Sequence, residues 1–422
     1  MTTHVVDRVL VEVESARDEI VAFAADLVRV PTVNPPGEAY ETCAHVLGDR
    51  LRDCGFSVRY LVADDRPEHT SHYPRVNVLG RRDAGRAGPV VHLNGHLDVV
   101  PPGEGWTVDP FGGLVRDGRL YGRGSSDMKA GIAAAVYAAE ALRRAGAPLT
   151  GALEVSGTAD EESGGFAGVA WLAEQGHLAA SRTDYVIIPE PFGPDRICIG
   201  HRGVYWFDLV TTGRTAHGSM PFLGVNAIDQ MTVVLAAVQE RLVPGLSERR
   251  TALPVVPAAA RQATLSLNAI AGGQTGPAAQ TPGVPDRCVA TFDRRFLAEE
   301  RFETVKADVE QMLAEVTAEH PGLRCELRDR LVVHPVQTPE DAPLVEALSA
   351  AVETITGRPA ARVASPGTYD HKHVARLAGI EQCVAYGPGT LEQAHQPDEW
   401  CGVDDLVQAT QVLALTILGL VG

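Results

Sequence analysis

The sequence predicts an α/β protein with a mainly parallel, doubly wound sheet and a smaller α+β sandwich inserted into it. Three observations support this fold class. Short β-rich runs alternate with Ala-rich helical runs from about residue 88, the pattern changes after about Gly200, and the first pattern returns near the C-terminus. At 422 residues the chain is also longer than one ordinary core requires, so two domains are expected.

The alternating segments predict the larger domain. They are "PVVHLNGHLDVV", "MKAGIAAAVYAAEALRRAG", "GALEVSGTADE", "GFAGVAWLAEQG" and "DYVIIPEP". Alternation at this spacing indicates right-handed crossovers, which place parallel strands in one sheet covered by helices on both faces. In such a sheet the functional groups lie at the carboxyl ends of the strands. We assign residues 1–200 and 336–422 to this domain.

The inserted segment has a different order of elements. It reads as strand "GVYWFDLVTTG", helix "AIDQMTVVLAAVQERL", strands "ATLSLNAIAG" and "RCVATFDRRF", helix "RFETVKADVEQMLAEVTAEH" and strand "LRCELRDRLVV". A β-α-β-β-α-β order is typical of a split-βαβ sandwich. The sequence therefore predicts an inserted domain over residues 201–335.

Composition limits the partners and the compartment. The chain has 37 Lys and Arg against 54 Asp and Glu, a formal net charge of −17, which argues against nucleic acid or an anionic membrane as a partner. Its seven cysteines lack CxxC spacing, which fits reduced thiols in the cytoplasm. The apolar tail from Val412 to Gly422 is shorter than the ~20 residues of a membrane span, so we expect a core-packed helix there.

Five clusters at predicted strand ends carry side chains that bind metals. They are His96 and Asp98 in "NGHLDVVP", Asp127 in "GRGSSDMKAG", Glu161 and Glu162 in "TADEESGG", Glu190 in "IIPEP", and His395 in "EQAHQPDEW". Two like charges ~4 Å apart repel by about 4 kcal/mol at an effective dielectric near 20, so converging carboxylates need cations. Carboxylates with imidazoles suit two divalent ions, zinc or alternatively cobalt or manganese.

Taken alone, three of these clusters have a simpler interpretation. His96 with Asp98 resembles a hydrogen-bonded core histidine, "DEES" resembles a solvated acidic turn, and Glu190 resembles a glutamate on a Pro-flanked loop. The occurrence of all five clusters favours the metal site. In that site, Asp98 is expected to bind the ring nitrogen of His96 that faces away from the metal.

Six blocks together resemble a known family. In order along the chain, "GHLDVVP", "GRGSSDMKAG", "DEESGG", "PEP", "GRTAHGSMP" and "AHQPDEW" are similar to blocks of the M20 metallopeptidases. That family includes acetylornithine deacetylase, succinyl-diaminopimelate desuccinylase, aminoacylase and carboxypeptidase members. The resemblance covers nearly the whole chain, and it implies that the inserted domain acts as a lid and dimerisation domain.

The resemblance also implies roles for individual residues in the catalytic domain. It assigns one metal to His96 and Glu190, the other to Glu162 and His395, and both to Asp127. Glu161 becomes the general base that deprotonates a metal-bridged water, the nucleophile, and passes the proton to the departing amine. Members of the family often have a cis peptide bond after the bridging aspartate, here Asp127–Met128.

Substrate contacts are expected in the inserted domain and its borders. By resemblance, His217 in "RTAHGSMP" reaches the active site of a neighbouring subunit and stabilises the oxyanion, and Arg295 in "DRRF" binds a substrate carboxylate. Asn226 in "GVNAI" favours a helix N-cap, with a substrate contact as the alternative. Thr368 lies in "SPGTYDHKH", where relatives carry a "GGTD"-like loop, and "TPGVPD" (281–286) also departs from the family pattern.

These expectations converge on one function. We predict a cytoplasmic, dinuclear metal-dependent amidohydrolase that cleaves the amide bond of an N-acyl amino acid, as a deacetylase or desuccinylase does. Alternatives are a di-, amino- or carboxypeptidase, an N-carbamoyl amino acid hydrolase, or a non-catalytic relative that only binds ligands. The expected partners are a small-molecule substrate and a second copy of the chain, with no nucleic acid and no membrane.

Overall fold

A computed structural model describes residues 3–274 and 283–422 of the chain. The chain forms two compact units, and the α/β fold class predicted above is confirmed. The first unit comprises Met1–Gly200, Thr338–Val363 and Tyr369–Gly422, and the second comprises His201–Gln337 and Ala364–Thr368.

The strands, numbered in chain order, are β1 Ser57–Val62, β2 Val76–Asp83, β3 Val90–His96, β4 Leu114–Arg116, β5 Arg119–Tyr121, β6 Ala152–Thr158, β7 Tyr185–Ile188, β8 Arg196–His201, β9 Gly203–Thr212, β10 Thr264–Gly272, β11 Arg287–Phe296, β12 Cys325–Val333, β13 Val336–Gln337, β14 Ala361–Ser365, β15 Cys383–Ala385 and β16 Trp400–Gly402. The α-helices are α1 Thr3–Ser15, α2 Arg17–Val28, α3 Tyr40–Asp53, α4 Ala130–Arg144, α5 Val169–Glu174, α6 Ala227–Ala237, α7 Val243–Leu246, α8 Phe302–Glu319, α9 Pro343–Thr356, α10 His371–Arg376 and α11 Val403–Val421.

The central sheet of the first unit has the strand order β1-β2-β6-β3-β7-β15-β8. Strand β3 pairs in parallel with β6 and β7, and β15 pairs in parallel with β7, whereas β1, β2 and β8 pair antiparallel with their neighbours. Every residue of β3 and β6 is buried, as expected for strands covered on both faces. The carboxyl ends of these parallel strands therefore meet at one edge of the sheet.

Helix α4 begins close to that edge. A Cβ atom at Gly131 would lie only 2.0 Å from the carbonyl oxygen of Pro189, so glycine allows the helix to approach the segment after β7. Helix α11 packs against α4 and α9. By length and composition α11 could cross a membrane, but 61% of its most apolar window is buried inside the protein, and the predicted core-packed helix is confirmed.

The second unit follows the predicted β-α-β-β-α-β order. Its antiparallel sheet has the strand order β10-β11-β9-β12. Along β11, buried residues alternate with more exposed ones, so one face of the strand enters a core shared with α6 and α8. Phe207 and Phe292 stack in that core, with ring centroids 5.2 Å apart.

Candidate metal centre and active site

Five side chains from separate segments lie together beyond the carboxyl ends of the parallel strands. His96 is the last residue of β3, Glu162 lies in the turn that follows β6, and Glu190 follows β7. Asp127 lies in the turn that precedes α4, and His395 lies in the loop after β15. The prediction that the acids and histidines at strand ends converge thus agrees with their placement in the first unit.

Asp127 lies between two groups of these side chains. Its Oδ1 atom is 3.1 Å from Nε2 of His96, and its Oδ2 atom is 3.6 Å from Nε2 of His395. Oε1 of Glu190 lies 3.9 Å from His96 Nε2, and Oε1 of Glu162 lies 3.1 Å from His395 Nε2. Each oxygen of Asp127 therefore faces one histidine, and each histidine has a glutamate beside it.

The donor set and its spacing suit divalent cations. Ligand atoms of His96, Asp127 and Glu162 lie within 4.8 Å of one another. Two ligands bound at about 2.1 Å in tetrahedral geometry lie about 3.4 Å apart, and the separations of 3.1 and 3.6 Å between Asp127 and the two histidines are close to that value. Nδ1 of His96 donates a hydrogen bond to the backbone carbonyl of Asp98 at 3.0 Å. In the neutral imidazole this leaves the lone pair on Nε2, the atom that points at Asp127.

Burial and close contact between charges shift the pKa values of these side chains. Burial raises the pKa of Glu162 to about 7, and burial together with the charge of Asp127 raises the pKa of Glu190 well above its usual range. The hydrogen bond with Glu162 raises the pKa of His395 to about 9. Burial is the largest influence on Asp127 and disfavours its charge, but the interactions with His96, His395 and Glu190 together outweigh burial and lower the pKa of Asp127. Divalent cations would stabilise the charged carboxylates and the neutral imidazoles, so the residues fit the predicted pair of cations.

The peptide bond between Asp127 and Met128 is cis, as the family resemblance implied. Its backbone is held by a residue that sequence reasoning missed. Glu399 is fully buried, and its Oε1 atom accepts hydrogen bonds from the backbone N–H groups of Gly124, Ser126 and Asp127 at 3.0, 2.8 and 3.1 Å.

Arg123 pairs with Glu399, and we call these two residues the clamp. It is 1% exposed and pairs with Oε2 of Glu399 at 2.5 Å. Its guanidinium group also donates to the backbone carbonyls of Pro102, His395 and Gln396 at 3.1 to 3.2 Å. The pair therefore joins the loop of Asp127 to the loop of His395. Arg123 lies in the block "GRGSSDMKAG" and Glu399 in the block "AHQPDEW". Their opposite charges within these two blocks were the only sign of the pair in the sequence.

The predicted contact of Asp98 requires a correction. Its nearest carboxylate oxygen is 3.6 Å from Nδ1 of His96, and its backbone carbonyl accepts the hydrogen bond instead. The carboxylate accepts the backbone N–H groups of Glu161 and Glu162 at 3.1 and 3.0 Å, and the amide of Asn34 at 3.0 Å. Asp98 therefore orients the acidic turn with its side chain and the histidine with its main chain. Sequence reasoning missed Asn34.

Glu161 begins that acidic turn, directly after Asp160. Asp160 has a left-handed backbone (φ 63°), and its carboxylate accepts hydrogen bonds from Tyr40 at 2.8 Å and Arg75 at 2.9 Å. The turn is thus held from both sides. The carboxylate of Asp98 binds the backbone N–H groups of the turn, and Tyr40 and Arg75 bind the carboxylate of Asp160. Glu161 is adjacent to Glu162 and is not one of the five clustered side chains.

The remaining predicted residues belong to the second unit. His217 is exposed, and its Nδ1 atom lies 2.8 Å from the hydroxyl of Ser219. Asn226 accepts the N–H of Ile228 at 2.9 Å, so the predicted N-cap is confirmed. Thr368 is half-buried. In "TPGVPD", residues 281 and 282 lie outside the described residues.

Arg295 already has a carboxylate partner in its own chain. Its Nε and Nη2 atoms donate to the two carboxylate oxygens of Asp293 at 2.8 and 2.9 Å. This is the fork geometry in which arginine binds carboxylates. A substrate carboxylate that uses this same edge of the guanidinium group would have to displace Asp293.

Five side chains of cation-binding type at the strand ends of an α/β sheet, next in the chain to a further carboxylate, are the arrangement expected of a metal-dependent hydrolase. The family model of Peptidase family M20/M25/M40 matches residues 92–419. The succinyl-diaminopimelate desuccinylase of Gluconacetobacter diazotrophicus is 30% identical over 409 residues, covering 95% of this chain and 96% of the relative. The enzyme of the same name from Bordetella petrii is 31% identical over 400 residues, covering 93% and 96%.

Among solved structures, human carnosine dipeptidase 1 has the same fold, with a TM-score of 0.77 and 20% identity over 98% of each chain. The chain belongs to the M20/M25/M40 peptidase family, as its sequence blocks suggested. It is accordingly a hydrolase that acts on amide bonds.

Proposed function

We propose that the protein removes an acyl group from an N-acyl amino acid, with dicarboxylic acyl groups such as succinyl among the substrates to be tested first. The observation that carries this proposal is the position of Asp127, with one carboxylate oxygen toward His96 and the other toward His395. Full-length similarity to two succinyl-diaminopimelate desuccinylases supports the acyl amino acid as the substrate class.

Five residues would hold two divalent cations, which we propose to be zinc because imidazole and carboxylate ligands suit it. When bound, the cations supply Lewis acidity that polarises the amide carbonyl and lowers the pKa of a water. His96 and Glu190 would hold one cation, Glu162 and His395 would hold the other, and Asp127 would contribute to both. Asp98 orients His96 through its backbone carbonyl and not through its carboxylate.

Glu161 acts as the general base. It accepts a proton from the attacking water, whose oxygen forms the new bond to the amide carbon. Glu161 then gives that proton to the nitrogen as the C–N bond breaks. The acid product passes the second proton of the water to the amine, so the products are a carboxylate and an ammonium group. Asp98 holds the backbone N–H groups of both Glu161 and Glu162, which keeps the base at a fixed place beside the ligands.

Residues of the second unit complete the proposal. His217 donates a hydrogen bond to the developing oxyanion in the active site of a partner subunit, a contribution of about 3 kcal/mol for a positioned donor. Arg295 binds a substrate carboxylate in exchange for Asp293, and Thr368 and Asn226 border the substrate. The second unit serves as lid and dimerisation domain of a cytoplasmic homodimer.

A substrate panel with metal analysis tests the function. Protein loaded with zinc, cobalt or manganese is assayed against N-acetyl, N-succinyl and N-carbamoyl amino acids and against dipeptides. We expect two cations per chain and the highest kcat/KM with an N-acyl amino acid. Preference for a dipeptide would favour a peptidase, and metal binding without any turnover would favour a binding protein.

The variant Glu161→Gln tests the base in the same preparation. Its amide cannot accept the proton, so kcat should fall by about 10³-fold or more while both cations remain bound. Normal turnover by Glu161→Gln would refute this assignment.

A further inference from the structure

Lys372 lies against the proposed general base. Its ammonium nitrogen is 3.3 Å from Oε1 of Glu161, and the two side chains are only 6% and 11% exposed. The other oxygen of this carboxylate, Oε2, has no hydrogen-bond partner within residues 3–274 and 283–422. Lysine is rare in this chain, which has Lys129, Lys306 and Lys372 and relies otherwise on arginine. A buried ammonium group in contact with the base therefore calls for a functional explanation.

The start of helix α10 fixes the position of Lys372. Just before the helix, Asp370 accepts a hydrogen bond from the amide of Asn94 at 3.1 Å, and Asn94 lies on β3 two residues before His96. Nε2 of His373 donates to the backbone carbonyl of Gly164 at 2.7 Å. The residues on both sides of Lys372 are thus attached to the elements that carry the metal ligands and the acidic turn.

The contacts of α10 reach both ends of the acidic turn. Lys372 contacts the side chain of Glu161, at the start of the turn, and His373 binds Gly164, at its end. The ring of Phe166 packs edge-on against His373, with centroids 5.5 Å apart. The turn therefore has little freedom to move relative to Lys372.

We propose that Lys372 is a positioning residue of the hydrolysis, a role that rests on the proposed function of Glu161. Its compact ammonium group holds Oε1 and restricts the carboxylate to one rotamer. Oε2 then remains free to accept the proton from the attacking water and to return it to the amine. A base that rotates freely would spend only part of its time within reach of that proton.

Two substitutions and one control test this role. Lys372→Met removes the charge and the donors at nearly equal length, and Lys372→Arg keeps them. The control Lys306→Met removes a half-buried lysine of the second unit that pairs with Asp329. We expect Lys372→Met to lower kcat by about 10- to 100-fold with less than about a twofold change in KM. Lys372→Arg should stay within about threefold of the wild type, and Lys306→Met should not differ from it.

Two further measurements separate positioning from a structural role. Lys372→Met should bind two cations per chain with wild-type affinity, and its crystal structure should show Glu161 in more than one rotamer where the wild type shows one. A loss of metal binding or of folding that accompanies the loss of kcat would overturn the proposal, as would an unchanged kcat. If the wild type hydrolyses nothing in the panel, the proposed function fails, and a single Glu161 rotamer in Lys372→Met would refute the positioning role independently.

Discussion

The carboxylate of Glu399 accepts the backbone N–H of Asp127 at 3.1 Å, and it accepts two further N–H groups of the same loop. Asp127 is the side chain that stands between the two halves of the proposed metal centre. Arg123, paired with Glu399, reaches the carbonyl of His395 on the opposite side. A single buried ion pair therefore sets the distance between two ligand-bearing loops.

Glu399→Gln should disrupt both loops at once. The amide keeps one acceptor but loses its charge, which leaves Arg123 buried without a counter-ion, a change that typically costs about 3–5 kcal/mol. We expect a lower unfolding temperature and at least about a tenfold weaker affinity for the cations, measured by chelator competition. Glu353→Gln, at an exposed position of α9, is the control and should change neither quantity. Wild-type metal affinity in Glu399→Gln would show that the clamp is not needed for the site.

Cation binding should release protons. In the metal-free protein the hydrogen bond with Glu162 raises the pKa of His395 to about 9, so this imidazole carries a proton at pH 7.5. A metal ligand must be neutral imidazole, so the cation displaces that proton, and the affinity rises as pH rises toward about 9. Titration calorimetry in buffers of different ionisation enthalpy should report release of about one proton or more per chain. A heat that does not depend on the buffer would contradict the assignment of His395 as a ligand.

The sequence predicted the cluster of acids and histidines but not the residues that hold it in place. An apolar run that ends in a small residue and then in His96, Glu162 or Glu190 identifies a strand end, and a parallel sheet brings strand ends together. The supporting contacts depend on distances between remote segments, as for Glu399 with Arg123. They also depend on which atom of a residue is used, since Asp98 holds His96 with its carbonyl.

The predicted substrate contacts show the same limit. "DRRF" suggests an arginine that is available to a ligand, but the fork of Arg295 is occupied by Asp293 two residues earlier on the same strand. Alternate residues of a strand point to the same side, so this pairing was accessible from the sequence. A local partner such as Asp293 competes with any substrate carboxylate. A sequence pattern that marks a binding residue does not take this competition into account.

Glu154 should make the stability of the first unit depend on acid pH. Burial raises the pKa of this carboxyl group by disfavouring its charged form. The contacts with His92, Arg81 and Arg182 together outweigh burial and lower the pKa from 4.5 to about 2. A lowered folded-state pKa stabilises the protein above the unfolded value, and this stabilisation is lost as pH falls from about 4.5 to 2. The shift corresponds to about 3 kcal/mol.

Urea unfolding of cation-free protein between pH 5 and pH 2 checks this value. The free energy of unfolding of the wild type should fall by about 3 kcal/mol more than that of Glu154→Gln over this range. Glu346→Gln, on the exposed side of α9, should follow the wild type. Parallel curves for wild type and Glu154→Gln would mean that the contacts of Glu154 add no pH-dependent stability.

Subunit mixing tests whether His217 acts across a dimer. Glu161→Gln lacks the base, and His217→Ala lacks the proposed oxyanion donor, so each homodimer should lose about 10²-fold or more in kcat. In a heterodimer purified through two different tags, the His217→Ala subunit retains Glu161 and receives His217 from its partner. This one site should restore about half of the wild-type activity, since the other site lacks both groups. A heterodimer as inactive as its parents would show that His217 does not serve the neighbouring subunit, and an active wild-type monomer in sedimentation would exclude the dimeric site altogether.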